Sequence, residues 1–344
     1  MNKTGVRYNN LDLFKFIMAV VVIALHTEPL KYCKDVFTIS VFNSLAGMAV
    51  PFFFLCSGYL LGIRMTREMS SEDDMIVLRQ HNKKLLKLYV IWSVIYLPIT
   101  IYHFATNQVR FINSLFWAFR GYVFVGEQYN SWHLWYLLSS IYVMMLTMFL
   151  VRFKLLDKIL PIIVGFFSAL SVSIDWVMMM PKNSNNIVFD LVQKVCDFTI
   201  ANGRIFGGFI YIPIGIIISK KVRKSSFFSS LSKIVIFLCA LVTKCIVDSF
   251  FLSFYLQIVI SVVFFSLVKD IRLSDNWIYP YLRQLSMMLY LIHMYVWTIY
   301  YMTVYGEKTY GVNSFVITSI ITLAIGIMYV MLGNRISWRK GNTK

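Results

Sequence analysis

The chain has 344 residues, of which 58% are hydrophobic, 17% aromatic and only 14% charged. Because soluble domains are usually about a quarter charged, this composition excludes an ordinary soluble domain and indicates a polytopic membrane protein. The net charge of +17 would suggest a nucleic-acid partner for a soluble protein. Here we attribute it to basic cytoplasmic loops, and no nucleic acid is expected.

Hydrophobic runs of membrane-spanning length predict an all-α bundle of about ten transmembrane helices. In chain order they lie near residues 11–28, 44–63, 85–104, 132–151, 159–178, 203–219, 230–247, 249–268, 284–304 and 314–333. No linker rich in Gly, Pro or Ser divides the chain, so residues 1–344 are interpreted as one transmembrane domain. The first run lacks a following small-residue cleavage site and is therefore not interpreted as a signal peptide.

The basic residues indicate how the spans are oriented. With the N-terminus inside, roughly 24 of the 33 Lys and Arg residues fall on one side of the predicted spans, which the positive-inside rule assigns to the cytoplasm. Both termini are then predicted to be cytoplasmic. The five cysteines are scattered without a CxxC spacing, so neither a disulfide framework nor a zinc site is predicted.

The first span, "LDLFKFIMAVVVIALH", carries three ionisable residues in an otherwise apolar segment. Lys15 and His26 are eleven residues apart, which places them within ~20° of one helix face, and Asp12 falls on the same side. Such groups are costly at membrane depth unless they face a cavity or a partner. We therefore predict a polar stripe that lines an internal cavity. The alternative is an ion pair that fixes helix packing, with His26 capping an interfacial turn.

Six motifs in chain order resemble the membrane-bound acyltransferase-3 family and cover nearly the whole chain. They are "LDLFKFIMAVVVIALH", "VPFFFLCSGYLLG", "KKLLKLYVIW", "WHLWYLLSSIY", "NGRIFGGFIYIPIGI" and "LSMMLYLIHMYV". The segments are most similar to those of the membrane domain of vancomycin-resistance serine racemases. In those proteins a cytoplasmic racemase domain that uses pyridoxal phosphate follows the membrane domain. Nothing up to Lys344 resembles that domain, so this cofactor is expected only in an appended domain.

The resemblance implies an acyltransferase-3-like helical fold in a bacterial plasma membrane. It also implies a catalytic role for His26, as the general base that deprotonates an acceptor hydroxyl. One position departs from the family pattern, because Lys15 stands where an Arg is usual. Lysine is a point charge without the planar fork of Arg. The substitution weakens the case for acyl-CoA binding and leaves open a role in holding the carboxylate of a small amino acid.

Two more candidate substrate-binding residues lie in later spans. His293, within "LYLIHMYVW", is one candidate, and a buried histidine bonded to a neighbouring hydroxyl is an equal alternative. Arg204, within "ANGRIFGG", is predicted at the outer mouth. There its guanidinium could bind a substrate carboxylate or extend to the lipid headgroups.

Other polar residues are assigned structural roles. Trp132, His133 and Trp135 in "WHLWY" are expected to form an aromatic belt at the membrane boundary, and a role in shaping the cavity is the alternative. Ser57 and Tyr59 in "SGY" are expected to make helix-packing hydrogen bonds. Four further ionisable residues are expected to be solvated, namely Glu28, Asp175 and Glu307 on the outer side and His81 in a cytoplasmic loop. The alternative for the three outer carboxylates is contact with a substrate ammonium group.

Two functions compete at this point. The first is import of L-serine for a racemase that makes D-serine for vancomycin-resistant cell-wall precursors, with Asp12, Lys15, His26, Arg204 and His293 around the substrate. The second is transfer of an acyl group from acyl-CoA to a hydroxyl of a cell-envelope glycan. A membrane anchor with vestigial sites is a third possibility. The lipid bilayer is the expected partner in every case, and a homo-oligomer is compatible with the sequence.

Overall fold

The computed structural model describes residues 8–181, 187–200, 202–221, 229–304 and 309–341, without the side chains of 221 and 334–341. These residues form helices and contain no β-strand, which confirms the all-α prediction. The α-helices are α1 (Asn9–Thr27), α2 (Val36–Ala46), α3 (Ala49–Arg64), α4 (Glu72–Thr106), α5 (Phe111–Arg120), α6 (Trp135–Arg152), α7 (Leu156–Met179), α8 (Ile187–Thr199), α9 (Gly207–Lys221), α10 (Ser230–Ile246), α11 (Phe250–Asp270), α12 (Ile278–Thr303) and α13 (Val312–Gly341).

Eight helical segments in the described ranges are long and apolar enough to cross a membrane. They contain α1, α2 with α3, α4, α6, α7, α9, α11 and α13. The other two predicted spans are also helical, but α10 has only 17 residues and α12 carries Arg283, Ser286 and His293 among its apolar residues. The chain is therefore a multi-pass membrane protein, in contact with a lipid bilayer through its exposed apolar helix faces.

Contacts between helix ends follow the predicted alternation of sides. At the predicted inner side, the pairs are Lys220 with Asp157, Lys233 with Asp270, and Arg283 with Asp12. At the predicted outer side, the N–H of Gly311 donates to the carbonyl of Thr27 over 2.9 Å. Arg204 Nη1 lies 3.7 Å from Glu127 Oε1 on that side. These contacts join helix ends within each predicted side of the bundle. The assignment of one side to the cytoplasm stays a prediction.

Helix α4 begins at Glu72, well before the predicted span near residue 85. A capping box starts it, because Ser71 Oγ accepts from the N–H of Asp74 and the Asp74 carboxylate accepts from the N–H of Ser71. This reciprocal pair satisfies two backbone donors at the first turn. The expectation of a loop around His81 is therefore wrong, and this residue is a partly buried part of α4.

Helices α3 and α9 pack backbone to backbone through glycines. A Cβ at Gly58 would collide with the carbonyl of Ile212, and one at Gly215 would collide with that of Leu55. Small residues allow this close approach in membranes, where van der Waals packing drives helix association. The contact holds the "SGY" motif of α3 in place beside the centre of the bundle.

The two helices that carry the predicted site run parallel and side by side. Asp12 near the start of α1 contacts Arg283 near the start of α12, and His26 near the end of α1 contacts His293 further along α12. The polar residues of α1 therefore face α12, and the ends of the pair define two levels of the bundle.

Candidate functional site

A pocket of about 360 Å³, here called the inner pocket, opens at the level where α1 and α12 begin. Its lining is Lys15, Phe53, Ser57, Leu85, Leu88, Tyr136, Leu137, Arg283, Gln284, Ser286, Met287, Tyr290 and Leu291. Both charged residues in this lining are cations. Apart from the amide of Gln284, the remaining lining is apolar or hydroxylated, and Ser57 Oγ lies 3.3 Å from the hydroxyl of Tyr136. An elongated ligand with an anionic end fits these properties.

Asp12 lies beside the inner pocket and is buried. Its Oδ2 is 3.8 Å from Nη1 of Arg283, whose side chain is 60% exposed. Because the Arg283 partner is this exposed, the pair contributes little to stability, on the order of 0–1 kcal/mol. Asp12 therefore offsets part of the positive charge of the inner pocket, and it leaves Arg283 accessible.

Three histidines meet at the other level of the bundle, and we call His26, His133 and His293 the histidine cluster. The ring centroids of His26 and His293 are 5.2 Å apart, and those of His133 and His293 are 5.1 Å apart. His133 and His293 are 1% and 0% exposed, whereas His26 is partly accessible. The cluster joins the end of α1, the turn before α6 and the middle of α12.

Backbone carbonyls set the proton positions of the two buried rings. His293 Nδ1 lies 3.0 Å from the carbonyl of Leu289, and His133 Nε2 lies 3.1 Å from the carbonyl of Leu291. A carbonyl only accepts, so these two nitrogens carry the protons. The neutral rings then hold lone pairs at His293 Nε2 and His133 Nδ1. Neither atom has a partner in the described part of the protein. The site thus presents two buried proton acceptors.

A second pocket of about 310 Å³, the outer pocket, opens at the level where α1 ends. Its lining is His103, Phe104, Trp117, Arg120, Val125, Glu127, Gln128, Tyr129 and Trp132. Burial raises the pKa of Glu127 above its ordinary value, against the opposing charges of Arg204 and Arg120. Its Oε1 contacts Arg204, whose side chain is 54% exposed.

Ring contacts connect the histidine cluster to both pockets. On the outer side, the centroid of Trp132 is 6.3 Å from that of His26. On the inner side, the centroid of Tyr290 is 6.2 Å from His293 and 5.7 Å from His133. The order Trp132, His26, His293, Tyr290 is therefore a continuous path of rings between the walls of the two pockets.

The predicted site residues divide among these three places. Lys15 lies in the inner pocket with Asp12 beside it, His26 and His293 belong to the cluster, and Arg204 lies at the outer rim beside Glu127. Among the outer carboxylates, Glu28 is exposed as expected. The expectation of a solvated Asp175 is wrong, because it is half-buried and accepts from the N–H of Gly203 over 2.8 Å. Glu307 lies outside the described residues.

The aromatic-belt interpretation of "WHLWY" is wrong for His133, which is buried in the cluster instead. Trp132 lines the outer pocket, His133 joins the cluster and Tyr136 lines the inner pocket. One short segment thus contributes residues to the outer pocket, the histidine cluster and the inner pocket. Sequence reasoning identified His293 on α12 but missed Arg283 and Tyr290, which lie ten and three residues before it.

One family model matches nearly the whole chain. The model of a family described as "Acyltransferase domain" matches residues 8–333. The chain belongs to the acyltransferase-3 family. The match includes α1, α6 and α12, and so contains every residue of the histidine cluster and of the inner pocket.

Curated relatives of this acyltransferase-3 chain include enterococcal racemases. A serine/alanine racemase of Enterococcus gallinarum is 24% identical over 338 residues, which is 95% of this chain and 46% of that protein. An amino-acid racemase of Enterococcus faecalis is 28% identical over 215 residues, which is 61% of this chain and 28% of that protein. The acyltransferase-3 chain thus spans less than half of either relative. No solved structure matches it.

Proposed function

We propose that this acyltransferase-3 chain transfers an acyl group, in the plasma membrane of a bacterium, from a CoA thioester in the inner pocket to a hydroxyl in the outer pocket. A hydroxyl of a cell-envelope glycan is the acceptor class. One observation carries the proposal, namely the path of rings between the two pockets that contains His26 and His293. Import of an amino acid needs charged contacts for its two ionic groups, whereas it needs no buried proton acceptors. Acyl transfer needs a base between donor and acceptor.

The inner pocket suits the donor. Lys15 and Arg283 are positioned to bind phosphate oxygens, and the pocket wall from Arg283 to Leu291 extends about 12 Å along α12. A pocket of about 360 Å³ is too small for a whole CoA molecule, so only the thioester end would enter it. The thioester carbonyl would then approach the cluster at Tyr290.

Within the cluster we assign the base to His26, which is partly accessible and contacts Trp132 of the outer pocket. The acceptor hydroxyl gives its proton to this imidazole, and its oxygen bonds to the thioester carbonyl carbon. The carbon–sulfur bond then breaks and the proton passes to the departing thiolate, so the products are an ester and free CoA. The unused lone pair on His293 Nε2 is suited to hold the ring of His26 by a hydrogen bond.

Removal of the imidazoles tests the proposal. The purified chain in nanodiscs is given radiolabelled acetyl-CoA and bacterial envelope material, and transferred label and free CoA are measured. Loss of a positioned acid–base group typically costs about 10²–10⁴-fold, which is the expectation for His26→Ala. His81→Gln, in α4 and away from the cluster, is the matched control and should retain the wild-type rate. Equal rates in both variants would refute the role of the cluster.

Delivery of L-serine remains a second candidate, because the relative matched over 95% of this chain is named for serine and alanine. Under this proposal Lys15 or Arg204 holds the substrate carboxylate. Proteoliposomes that contain the chain should then take up radiolabelled L-serine, with D-serine competing poorly. Loss of one charge-assisted hydrogen bond, about 1.5–3 kcal/mol, should weaken uptake roughly 10- to 150-fold in Lys15→Ala. Serine uptake that is insensitive to His26→Ala, without CoA release, would overturn the first candidate.

A further inference from the structure

We propose that Tyr96 is a positioning residue that sets the geometry of the histidine cluster. The proposal rests on the proposed acyl transfer. Tyr96 lies on α4, is fully buried, and contributes to neither pocket lining nor cluster. Its hydroxyl donates to the carbonyl of Leu291 over 2.9 Å and accepts from the N–H of Tyr295 over 3.0 Å.

These two backbone groups of α12 are hydrogen-bond partners of each other in a regular α-helix, four residues apart. The Tyr96 hydroxyl lies between these two groups, and His293 belongs to the helical turn from Leu291 to Tyr295. Insertion of a side chain into the hydrogen-bond ladder is a known cause of local helix bending. The direction in which α12 presents the His293 ring thus depends on a side chain from α4.

The same carbonyl also orients the second buried ring. His133 Nε2 donates to Leu291 O over 3.1 Å, and the rings of Tyr96 and His133 meet edge to face with centroids 5.1 Å apart. One carbonyl therefore accepts from both Tyr96 and His133. A shift of that carbonyl therefore alters two features on which the cluster depends, which are the hydrogen bond that holds the ring of His133 and the orientation of His293.

Tyr96→Phe removes the hydroxyl and keeps the ring. The freed N–H of Tyr295 can then bond directly to Leu291 O, as in an ordinary helix, so the substitution strands no buried backbone group. If the hydroxyl only stabilised the fold, its removal would lower the apparent Tm of the protein. If it positions the cluster, its removal lowers turnover while the apparent Tm is maintained.

The matched control is Tyr89→Phe on the same helix. The Tyr89 hydroxyl donates to the carbonyl of Tyr122 over 2.7 Å, so the control also deletes a largely buried tyrosine-to-carbonyl bond. Neither Tyr89 nor Tyr122 has a described ring contact with the histidine cluster. In the acetyl-CoA assay, Tyr96→Phe should lower kcat by about tenfold or more with little change in donor KM, while Tyr89→Phe keeps the wild-type kcat. Equal kcat values in the two variants, or parallel losses of kcat and Tm in both, would overturn the proposal.

A second measurement does not depend on activity. The chain has five histidines, so selective ¹⁵N-histidine labelling gives few signals in solid-state NMR. The imidazole ¹⁵N shifts of His133 and His293 should be the same in the wild type and in Tyr89→Phe, and should change in Tyr96→Phe. Unchanged shifts of both rings in Tyr96→Phe would overturn the positioning role even if acyl transfer is found. Changed shifts in a chain without His26-dependent turnover would support the contact and refute the proposed function.

Discussion

Substitution of Gly58 by Ala adds one methyl group at the contact between α3 and α9. The new Cβ would lie 2.9 Å from the carbonyl carbon and 3.0 Å from the Cα of Ile212, and closer still to its carbonyl oxygen. All three atoms belong to backbone, so no side chain can move aside. Ordinary contact between carbon atoms requires about 3.5–4.0 Å. The two helices must therefore separate by roughly 1 Å or bend.

Overpacking of this kind typically costs about 1–3 kcal/mol, which corresponds to a decrease of a few °C in the apparent Tm. The separation should also change the inner pocket, because Phe53 and Ser57 on α3 line it. We expect a higher donor KM together with the lower Tm, measured by thermal unfolding in nanodiscs and by initial rates.

Gly165→Ala in α7 is the matched control for the same chemical change. A Cβ at Gly165 meets nothing within 4 Å, and Ala is a better helix former than Gly by about 1 kcal/mol. Its Tm should stay the same or increase. An unchanged Tm in Gly58→Ala would show that α3 and α9 do not pack at the distance described here and would refute the reasoning.

Three more predictions follow from the charges and the topology. Asp12→Asn should lower the donor KM up to about fivefold at low salt, because the lost carboxylate offsets the Arg283 charge by about 0.2–1 kcal/mol; a higher KM would mean that the pair is structural. Burial raises the pKa of Glu127 above 4.5, so the folded state retains a proton that the unfolded state has lost. The Tm should then decrease as pH rises from about 4.5 through the folded pKa, and Glu127→Gln should reduce this slope; a slope unchanged by the substitution would contradict it. In a cysteine-free background, Gln108→Cys should react with an impermeant thiol reagent from outside the cell and Ser274→Cys only after permeabilisation, and the reverse pattern would invert the topology.

The transmembrane helices could be predicted from the sequence because lipid is their solvent. Lipid offers no hydrogen-bond partners, so every apolar run of sufficient length must satisfy its own backbone as a helix. The run near residues 249–268 was therefore predictable as α11 without knowledge of its neighbours. The start of α4 at Glu72 was missed, because the apolar run begins later and the capping box at Ser71 and Asp74 depends on local hydrogen bonds, not on hydropathy.

The site was predictable only within single helices. Helical periodicity places Lys15 and His26 on one face of α1, and the cost of such groups in lipid directs that face inward. Periodicity does not say which helix covers the face. Arg283 was therefore not predicted as the partner of Asp12, since the two residues are joined only by the packing of α1 against α12.

The sequence by itself determined a helical membrane protein of the acyltransferase-3 type, with a polar stripe on its first span. The tertiary structure alone decided that His26, His133 and His293 meet between two pockets, and that Tyr96 bonds to the helix turn around one of them. The physical reason is that hydropathy and periodicity act along one helix, whereas the cluster depends on contacts among α1, α4, α12 and the turn before α6, which come from distant parts of the chain.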